Sequence, residues 1–405
     1  MIIRAITGFI DPGWPVRPER IANLAHFLQD ARQALIDVGY EIQTLRLATP
    51  PPSQMKTAVP VDERVEMARQ LEAECFVHGI DYAAIGPALP EEPQGYTIIP
   101  DILAATENIF SSAVFASNKL GLSLAAVQAC GRIIERTSHI APEGFANLRF
   151  AALANVPAGA PFFPGSYHSN GPPAVAVALE GASAAVEAFK RAPSIRRAQQ
   201  HLITAIERHT GAVDSVFRRI PSDGHHYLGV DFSLAPFPEE QRSIGTAMES
   251  TGLPAVGLSG SVTVATLLTS CIENARFTRT GFCGLLTPVL EDIVLAQRAA
   301  EGTLQISDLL LYSTVCGTGL DTIPLPGDSS EEQLSALLLD LGTLSLRHNK
   351  PLTARLMPIP GKAAGDDTEF DFAFFANSKI MHLPALPLTG VFDGHEILKI
   401  SPRNT

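Results

Sequence analysis

Charge is scarce in this chain of 405 residues: 18% of positions are Asp, Glu, Lys or Arg, against about a quarter in ordinary globular proteins. What charge there is leans acidic, to a net −12. No basic run interleaved with aromatics offsets it, which excludes nucleic acid as a partner. Cysteine is sparse. Cys75, Cys130, Cys271, Cys283 and Cys316 form no Cys-x-x-Cys pair, so neither a disulfide framework nor a zinc ribbon is expected and a reducing, cytoplasmic setting is. No apolar run approaches the roughly 20 residues of a membrane helix. The apolar start Met1 to Ile10 is broken by Arg4 and stopped by Asp11-Pro12-Gly13, and reads as a first buried strand rather than a leader. The P-loop spacing and the Gly-x-Gly-x-x-Gly fingerprint are missing too, which removes the two commonest phosphate cradles.

What is abundant is apolar. Hydrophobic residues reach 46% and mean hydropathy is +0.15 in a chain of 43.2 kDa. That composition implies a large core with apolar surface to spare, and a homo-oligomer is expected. Strand-like and helix-like periods alternate along the chain, the pattern of an α/β fold whose parallel strands are covered by helices. The strand Ile2 to Ile10 precedes a helix carrying Ile21, Leu24, Leu28, Ala31 and Leu35, opened by Pro18 and ended by Gly39. A strand at Glu41 to Leu47 runs into Thr49-Pro50-Pro51-Pro52-Ser53. Val61, Val65, Ala68, Leu71 and Cys75 mark a second helix before a short strand at Tyr82 to Ile85. Leu334, Leu337, Leu338, Leu341 and Leu344 give the clearest amphipathic helix. Gly8 to Asp11 followed by Pro18-Glu19-Arg20 is echoed by Gly229 to Asp231 followed by Pro238-Glu239-Glu240, which suggests two related halves, 1–225 and 226–405, of one domain spanning 1–405.

The segment Arg149 to His168 draws a buried strand into a loop braced by Pro157, Pro161 and Pro164. Three fixed φ angles and three missing amide donors rule out a strand interior or a helix. Phe162 and Phe163 are expected to pack inward, and Ser166, Tyr167 and His168 sit at the loop's exit, where they could turn toward a pocket. Polar residues after apolar runs occupy the place where parallel sheets present ligand sites: Asp11, Asp231, and the run Leu311 to Asp321, read as a strand giving way to glycines beside Cys316 and Asp321. Gly257-Leu258-Ser259-Gly260-Ser261 opens a helix and offers hydroxyls and free amides to an anion, though a plain N-cap explains it equally. The strand Leu352 to Pro360 carries Arg355 and ends at Lys362, a fixed positive charge. Glu291-Asp292 reads as an acidic first helical turn, and His225-His226 would face opposite ways in a strand.

With these segments assembled, the chain resembles the family catalogued as domain of unknown function 711. The likeness rests on Ile99 to Asn108, Asn155-Val156-Pro157 with Pro161-Phe162-Phe163-Pro164, Gly229 to Pro236, Cys316 to Pro326 and Arg355 to Gly365, in the family's order over nearly the whole chain. The resemblance implies a relative of the pyruvate formate-lyase barrel, ten strands in two five-stranded halves. Glycyl-radical enzymes of that architecture carry a C-terminal Arg-Val-x-Gly type loop; this chain has Gly390-Val391-Phe392-Asp393-Gly394-His395 there, so radical chemistry is not expected. Family members encoded beside small amino-acid-binding regulatory proteins point to amino-acid or keto-acid metabolism and to such a protein as a partner.

The leading expectation is an enzyme for a small anionic, carboxylate-bearing metabolite. Cys316 would act as nucleophile or acid and His168 as base, with Asp321 or Asp231 as orienting carboxylates. Lys362, Arg355, Ser259, Ser261 and Tyr167 would bind substrate. A second reading places a divalent metal on Asp11, Asp231, Asp321 and His168 for hydrolytic chemistry. A third makes the pocket a non-catalytic metabolite sensor or scaffold.

Overall fold

A computed structural model describes residues 1–402. Among them twelve strands join in one sheet and twelve α-helices surround it. The strands are β1 (Ile2–Phe9), β2 (Glu41–Ile42), β3 (Leu45–Ala48), β4 (Tyr82–Ala84), β5 (Ile109–Ser117), β6 (Gly121–Ser123), β7 (Phe150–Ala154), β8 (Ala174–Glu180), β9 (His226–Ser233), β10 (Gly319–Pro326), β11 (Leu352–Ile359) and β12 (Ile397–Leu398). Their order is β10-β11-β7-β5-β4-β3-β1-β8-β9, with β2 beside β1, β6 beside β5 and β12 beside β6. From β1 through β3, β4 and β5 to β7 the neighbours are parallel, as are β8 with β9 and β10 with β11. Antiparallel pairing occurs where β1 meets β8 and where β7 meets β11. Beyond β9, the segment 279–288 continues the ladder through three parallel bridges, Val230 to Arg279, Leu234 to Leu285 and Pro288 to Asp321.

The expected helices form for the expected reasons. Pro18 opens Pro18–Asp37 with Ile21, Leu24, Leu28, Ala31 and Leu35 buried, and Gly39 takes the positive φ that stops it. Glu331–His348 starts on a reciprocal Ser330/Gln333 capping box and buries Leu334, Leu337, Leu338 and Leu341. Three local expectations are corrected. The strand read at Glu41 to Leu47 is interrupted at Gln43-Thr44, where the Thr44 hydroxyl donates to the Arg4 carbonyl. The run from Leu311 is not a strand but the end of helix Ile306–Ser313, fixed by a Gln305/Asp308 capping box; Asp321 therefore sits inside β10 rather than beyond a strand. Pro238-Glu239-Glu240 leads into a single 3-10 turn. The following helix, Ile244–Glu249, starts at the Ser243 cap.

Period-2 alternation decides what each strand shows to either side. Ile3, Leu45, Leu47, Ala83, Ile109, Val177, Val230, Phe232, Leu320, Ala354 and Leu356 belong to the large core packed against the helices. Their strand neighbours Arg4, Arg46, Tyr82, Phe110, Ala178, Asp231, Ser233, Asp321 and Arg355 face a cavity on the other side. The proline-braced loop closes one end of this inner space. Phe163 is buried on Phe9, Ala48, Ala84, Ala174 and Ala176, at the carboxyl ends of β1, β3 and β4 and the start of β8, a contact worth about 2 kcal/mol on burial alone. Val156, Ala160 and Phe162 pack with Phe282 on Ala151 and Leu153 of β7. The loop's base is held by the Gly159 amide donating to the Tyr167 carbonyl at 2.9 Å and the His168 amide donating to the Thr49 carbonyl at 3.0 Å.

Candidate functional site

The cavity has a volume of about 460 Å³, within the range of small-molecule sites. Its charged groups come from β1, β3, β9, β10 and β11, from Glu107 and Arg149 just ahead of β5 and β7, and from the turn before helix Ile293–Ala300, where Asp292 is the N-cap and Glu291 turns inward. Arg355 on β11 joins two carboxylates: its Nε lies 2.6 Å from Asp321 Oδ1 and its Nη2 2.6 Å from Glu291 Oε1. Glu291 Oε2 accepts a second cation, Arg4 Nη2, at 2.7 Å, while Arg4 Nη1 reaches the Pro236 carbonyl at 3.1 Å. The two acids are therefore not equivalent. Burial pushes both up, but Arg355 and Arg4 together hold Glu291 below its ordinary value. At Asp321 burial prevails over the single shared Arg355, and the charge on Glu291 pushes it further up. Asp321 is thus the more readily protonated member of the pair, and its Oδ2 is buried with no hydrogen-bond partner.

The backbone at Asp321 is irregular. Register with β11 slips by one residue between Leu320 and Ile323, a bulge that includes Asp321. The next residue, Thr322, takes φ +44°, a left-handed conformation that is costly for a β-branched side chain. Such bulges re-aim side chains.

Arg46 on β3 stands out among these cations. Its Nε donates to Thr44 Oγ1 at 2.9 Å, and its guanidinium lies 5.0 Å from the Phe163 ring centre and 5.9 Å from that of Tyr82. Among the described residues no carboxylate forms an ion pair with it. Burial first, and then the like charge of Arg4, pull its pKa down to about 9, as expected for a cation removed from water without a counterion. Arg46 lines the cavity, and the bond to Thr44 uses one of its five guanidinium donors. Arg149, also in the lining, is committed elsewhere, donating to the carbonyls of Leu103, Thr106 and Ile109. The rest of the wall is largely aromatic: Tyr82, Phe110, Phe162 and Phe163 on the loop side, and Phe145, Phe372 and Phe374 on another.

The expected site residues fall into separate places. Asp231, Asp321 and Arg355 line the cavity; Cys316, His168, Tyr167, Ser259, Ser261, Lys362 and Asp11 do not. Cys316 is fully buried among apolar side chains, and burial raises its thiol pKa. His168 Nε2 meets the Pro172 carbonyl at 3.1 Å, its Nδ1 has no partner, and burial lowers its pKa. The Tyr167 hydroxyl donates to the Val156 carbonyl at 2.9 Å. Ser259 is exposed, and the Ser261 hydroxyl is used locally, donating to Leu258 O and accepting from the Gly257 amide. Lys362 Nζ is engaged at its own turn by Glu369, 2.6 Å away, and the Asp367 carbonyl. His225 stacks on Phe27 with ring centres 4.5 Å apart, whereas His226 is exposed.

The metal set expected from Asp11, Asp231, Asp321 and His168 does not assemble. Among the described residues no group of three or more His, Cys, Asp or Glu side chains gathers to hold an ion. Asp11 binds the amides of Gly13 and Lys56. Asp231 accepts from Ser233 Oγ at 2.6 Å and from the amides of Phe282 and Cys283 at 2.9 and 3.0 Å. It clamps the segment 279–288 to β9. Gly281 is required there, because a Cβ would lie 2.2 Å from Asp231 Oδ2 and φ is +71°.

Residues 1–377 match the family model described as "Uncharacterised ACR (DUF711)". The chain belongs to this family. It is 30% identical over 391 residues to a UPF0210 protein of Pyrobaculum arsenaticum, covering 90% of this chain and 86% of the relative. Similar proteins in Acetivibrio thermocellus and Neisseria gonorrhoeae, both also named UPF0210 protein, are 28% identical over 371 residues and 26% over 355; the alignments cover 86% and 82% of this chain and 80% and 77% of those relatives. No helix of the described residues is long and apolar enough to cross a membrane.

The residues missed by sequence reasoning are Arg4, Arg46 and Glu291. Each carried a signal. Arg4 and Arg46 are single charges inside otherwise apolar strands, Ile-Ile-Arg-Ala-Ile and Leu-Arg-Leu-Ala, where a charge must find a partner or a purpose. Glu291 is the neighbour of a helix cap and was read as part of the cap.

Proposed function

We propose that this family member is a non-radical enzyme that takes up a small carboxylate-bearing metabolite in the central cavity and moves a proton on it. Arg46 anchors the carboxylate and Asp321 carries the proton. The observation that carries the reading is the half-buried Arg46 guanidinium on the cavity wall, which has Thr44 and aromatic rings around it but no carboxylate among the described residues. A desolvated guanidinium fork fits a planar carboxylate. Asp321 supports the catalytic part through its raised pKa, its unpartnered Oδ2 and the strained bulge beside it. In the ionised form the Asp321 carboxylate takes a proton from the carbon next to a substrate carbonyl, the C–H electron pair passing onto the carbonyl oxygen as an enolate, and then returns the proton to that carbon as the carbonyl re-forms, while Arg355 stays paired with Asp321 and Glu291. In this assignment Asp321 and Arg355 stay in the site with changed roles, Asp321 as proton carrier rather than orienting carboxylate and Arg355 as its partner rather than a substrate ligand, and Cys316, His168 and Lys362 lie outside the cavity.

The same reading includes a closed ring. Counting the segment 279–288, the ladder runs through ten strands, and its three bridges join β9 to β10. This is the pairing required by a ten-stranded barrel of two five-stranded halves. The antiparallel seams at β1/β8 and β7/β11 favour dividing the halves between β7 and β8 rather than near residue 225.

The test is α-proton exchange. Pyruvate, 2-oxobutyrate and phenylpyruvate are incubated with the protein in D2O and the loss of the signal at C3 is followed by proton NMR. Exchange of at least one acid faster than buffer, lost in Asp321→Asn, supports the assignment. Binding of an acid through Arg46 with no accelerated exchange overturns the enzyme reading in favour of a metabolite sensor.

A further inference from the structure

The charges and rings of the cavity also bear on which carboxylates fit. The argument rests on the anion-binding reading above and goes beyond it. Four arginines line the cavity as potential anion partners, but three are already engaged: Arg355 by Asp321 and Glu291, Arg4 by Glu291 and the Pro236 carbonyl, and Arg149 by the carbonyls of Leu103, Thr106 and Ile109. Arg46 is the one of the four whose guanidinium meets neither a carboxylate nor a carbonyl of the described residues, so a single cation is left for a negative group. A second would find the cations Arg4 and Arg355 already balanced by Glu291 and Asp321, and a like charge beside Glu291 is repelled at low effective dielectric. The apolar wall supplies the rest of the recognition. The Phe163 and Tyr82 rings flank Arg46. Phe110 lies edge-on to both, at 5.3 and 5.4 Å.

Another set of rings lines the cavity from the segment after β11. Phe372 lies 5.1 Å from Phe145 and 5.3 Å from Phe374, and Phe374 continues to Phe237 at 5.5 Å. Phe374 is 36% exposed, which places this aromatic group where the cavity meets solvent. An apolar skeleton held by its carboxylate on Arg46 therefore has rings beside it and further rings at the cavity's edge. No sequence feature had pointed to the Phe370-Asp371-Phe372-Ala373-Phe374-Phe375 run.

We propose that the cavity selects monocarboxylates on an apolar carbon skeleton, aryl-alkanoic or branched-chain acids and their 2-oxo forms, with the carboxylate on Arg46 and the skeleton against Phe110, Phe162, Phe145 and Phe372, and that it rejects dicarboxylates and phosphorylated acids.

Isothermal titration of the full-length protein tests this with 3-phenylpropionate, 4-methylpentanoate, acetate, succinate and the neutral 3-phenylpropionamide. The expected result is that 3-phenylpropionate and 4-methylpentanoate bind at least tenfold more tightly than acetate, succinate and the amide. Phe372→Ala should weaken the two apolar acids and leave acetate unchanged, and Arg46→Gln should reduce 3-phenylpropionate to the level of its amide. If acetate and succinate bind as well as the apolar acids, and all depend on Arg46, the selectivity proposal is overturned while the anion site stands. If no acid binds, or Arg46→Gln changes nothing, the anion site fails as well. The comparison among ligands on the unaltered protein needs no variant to fold.

Discussion

A half-buried cation with no carboxylate of the described residues beside it should cost the empty protein stability, and Arg46→Met measures that cost. Methionine keeps most of the apolar stem and removes the charge. Lowering a guanidinium from its ordinary pKa to about 9 corresponds to roughly 5 kcal/mol at 1.36 kcal/mol per decade. Water in the cavity returns part of that solvation, so the recoverable amount is smaller. Against it stand the lost hydrogen bond to Thr44, about 1 kcal/mol, and the lost contact with the Phe163 ring, about 1 kcal/mol. The balance predicts that Arg46→Met is more stable than the parent by about 1–3 kcal/mol when no anion is present. Urea unfolding in a carboxylate- and phosphate-free buffer reads it as a higher midpoint at unchanged m. A destabilisation of about 1 kcal/mol or more at unchanged m would refute the reasoning, because it would mean that Arg46 already has its counterion.

Arg355 is the opposite case. Arg355→Met leaves Asp321 without its cation and Glu291 with only Arg4, and a loss of about 3–5 kcal/mol is expected in the same urea assay at pH 7; a loss under 1 kcal/mol would contradict the pairing. Gly281→Ala introduces a Cβ 2.2 Å from Asp231 Oδ2 at a φ of +71°, so amide exchange over 279–285 should accelerate, and unchanged protection would show that Asp231 does not hold this segment. His209, hydrogen-bonded to Tyr40, has its pKa lowered to about 4 by burial and by Arg208. The unfolded chain takes up this proton first, so stability should fall as pH drops from about 6.5 toward 4. His209→Gln should flatten that limb of the stability curve, and an unchanged slope would exclude the assignment. Cys316, buried with its thiol pKa raised, should resist iodoacetamide until the chain unfolds; labelling of the native protein at Cys316 would return it to consideration as a nucleophile.

Much of the fold was legible because local rules and tertiary packing agree. The helix Pro18–Asp37 has its proline, its apolar stripe and its glycine stop in the expected order, and Glu331–His348 has its capping box and leucine face. Where the reading failed, a local cap decided one case and a long-range partner the other. The run Leu309-Leu310-Leu311-Tyr312 is apolar enough for either a strand or a helix, and the Gln305/Asp308 box settles it as helix. The break at Gln43-Thr44 depends on the Arg4 carbonyl accepting from Thr44, a contact between strands that no window of sequence displays.

The candidate site was less legible, and the reason is physical. Sequence reasoning placed weight on residues beside glycines and prolines, where the chain turns; many of those polar groups satisfy the turns themselves, as Ser261 does for the Gly257 amide and Lys362 for the Asp367 carbonyl. The cavity groups instead come from strand interiors, where alternation aims every second residue inward whatever its type. Arg4, Arg46, Asp231, Asp321 and Arg355 each interrupt an apolar strand, and removing them would lengthen the hydrophobic runs without harming the strand pattern. Of the five, Arg4, Asp231, Asp321 and Arg355 have partners that account for their burial. Only the one for which no such partner exists, Arg46, requires something the chain does not contain, and that is why its ligand-free stability is the measurement on which the functional reading turns.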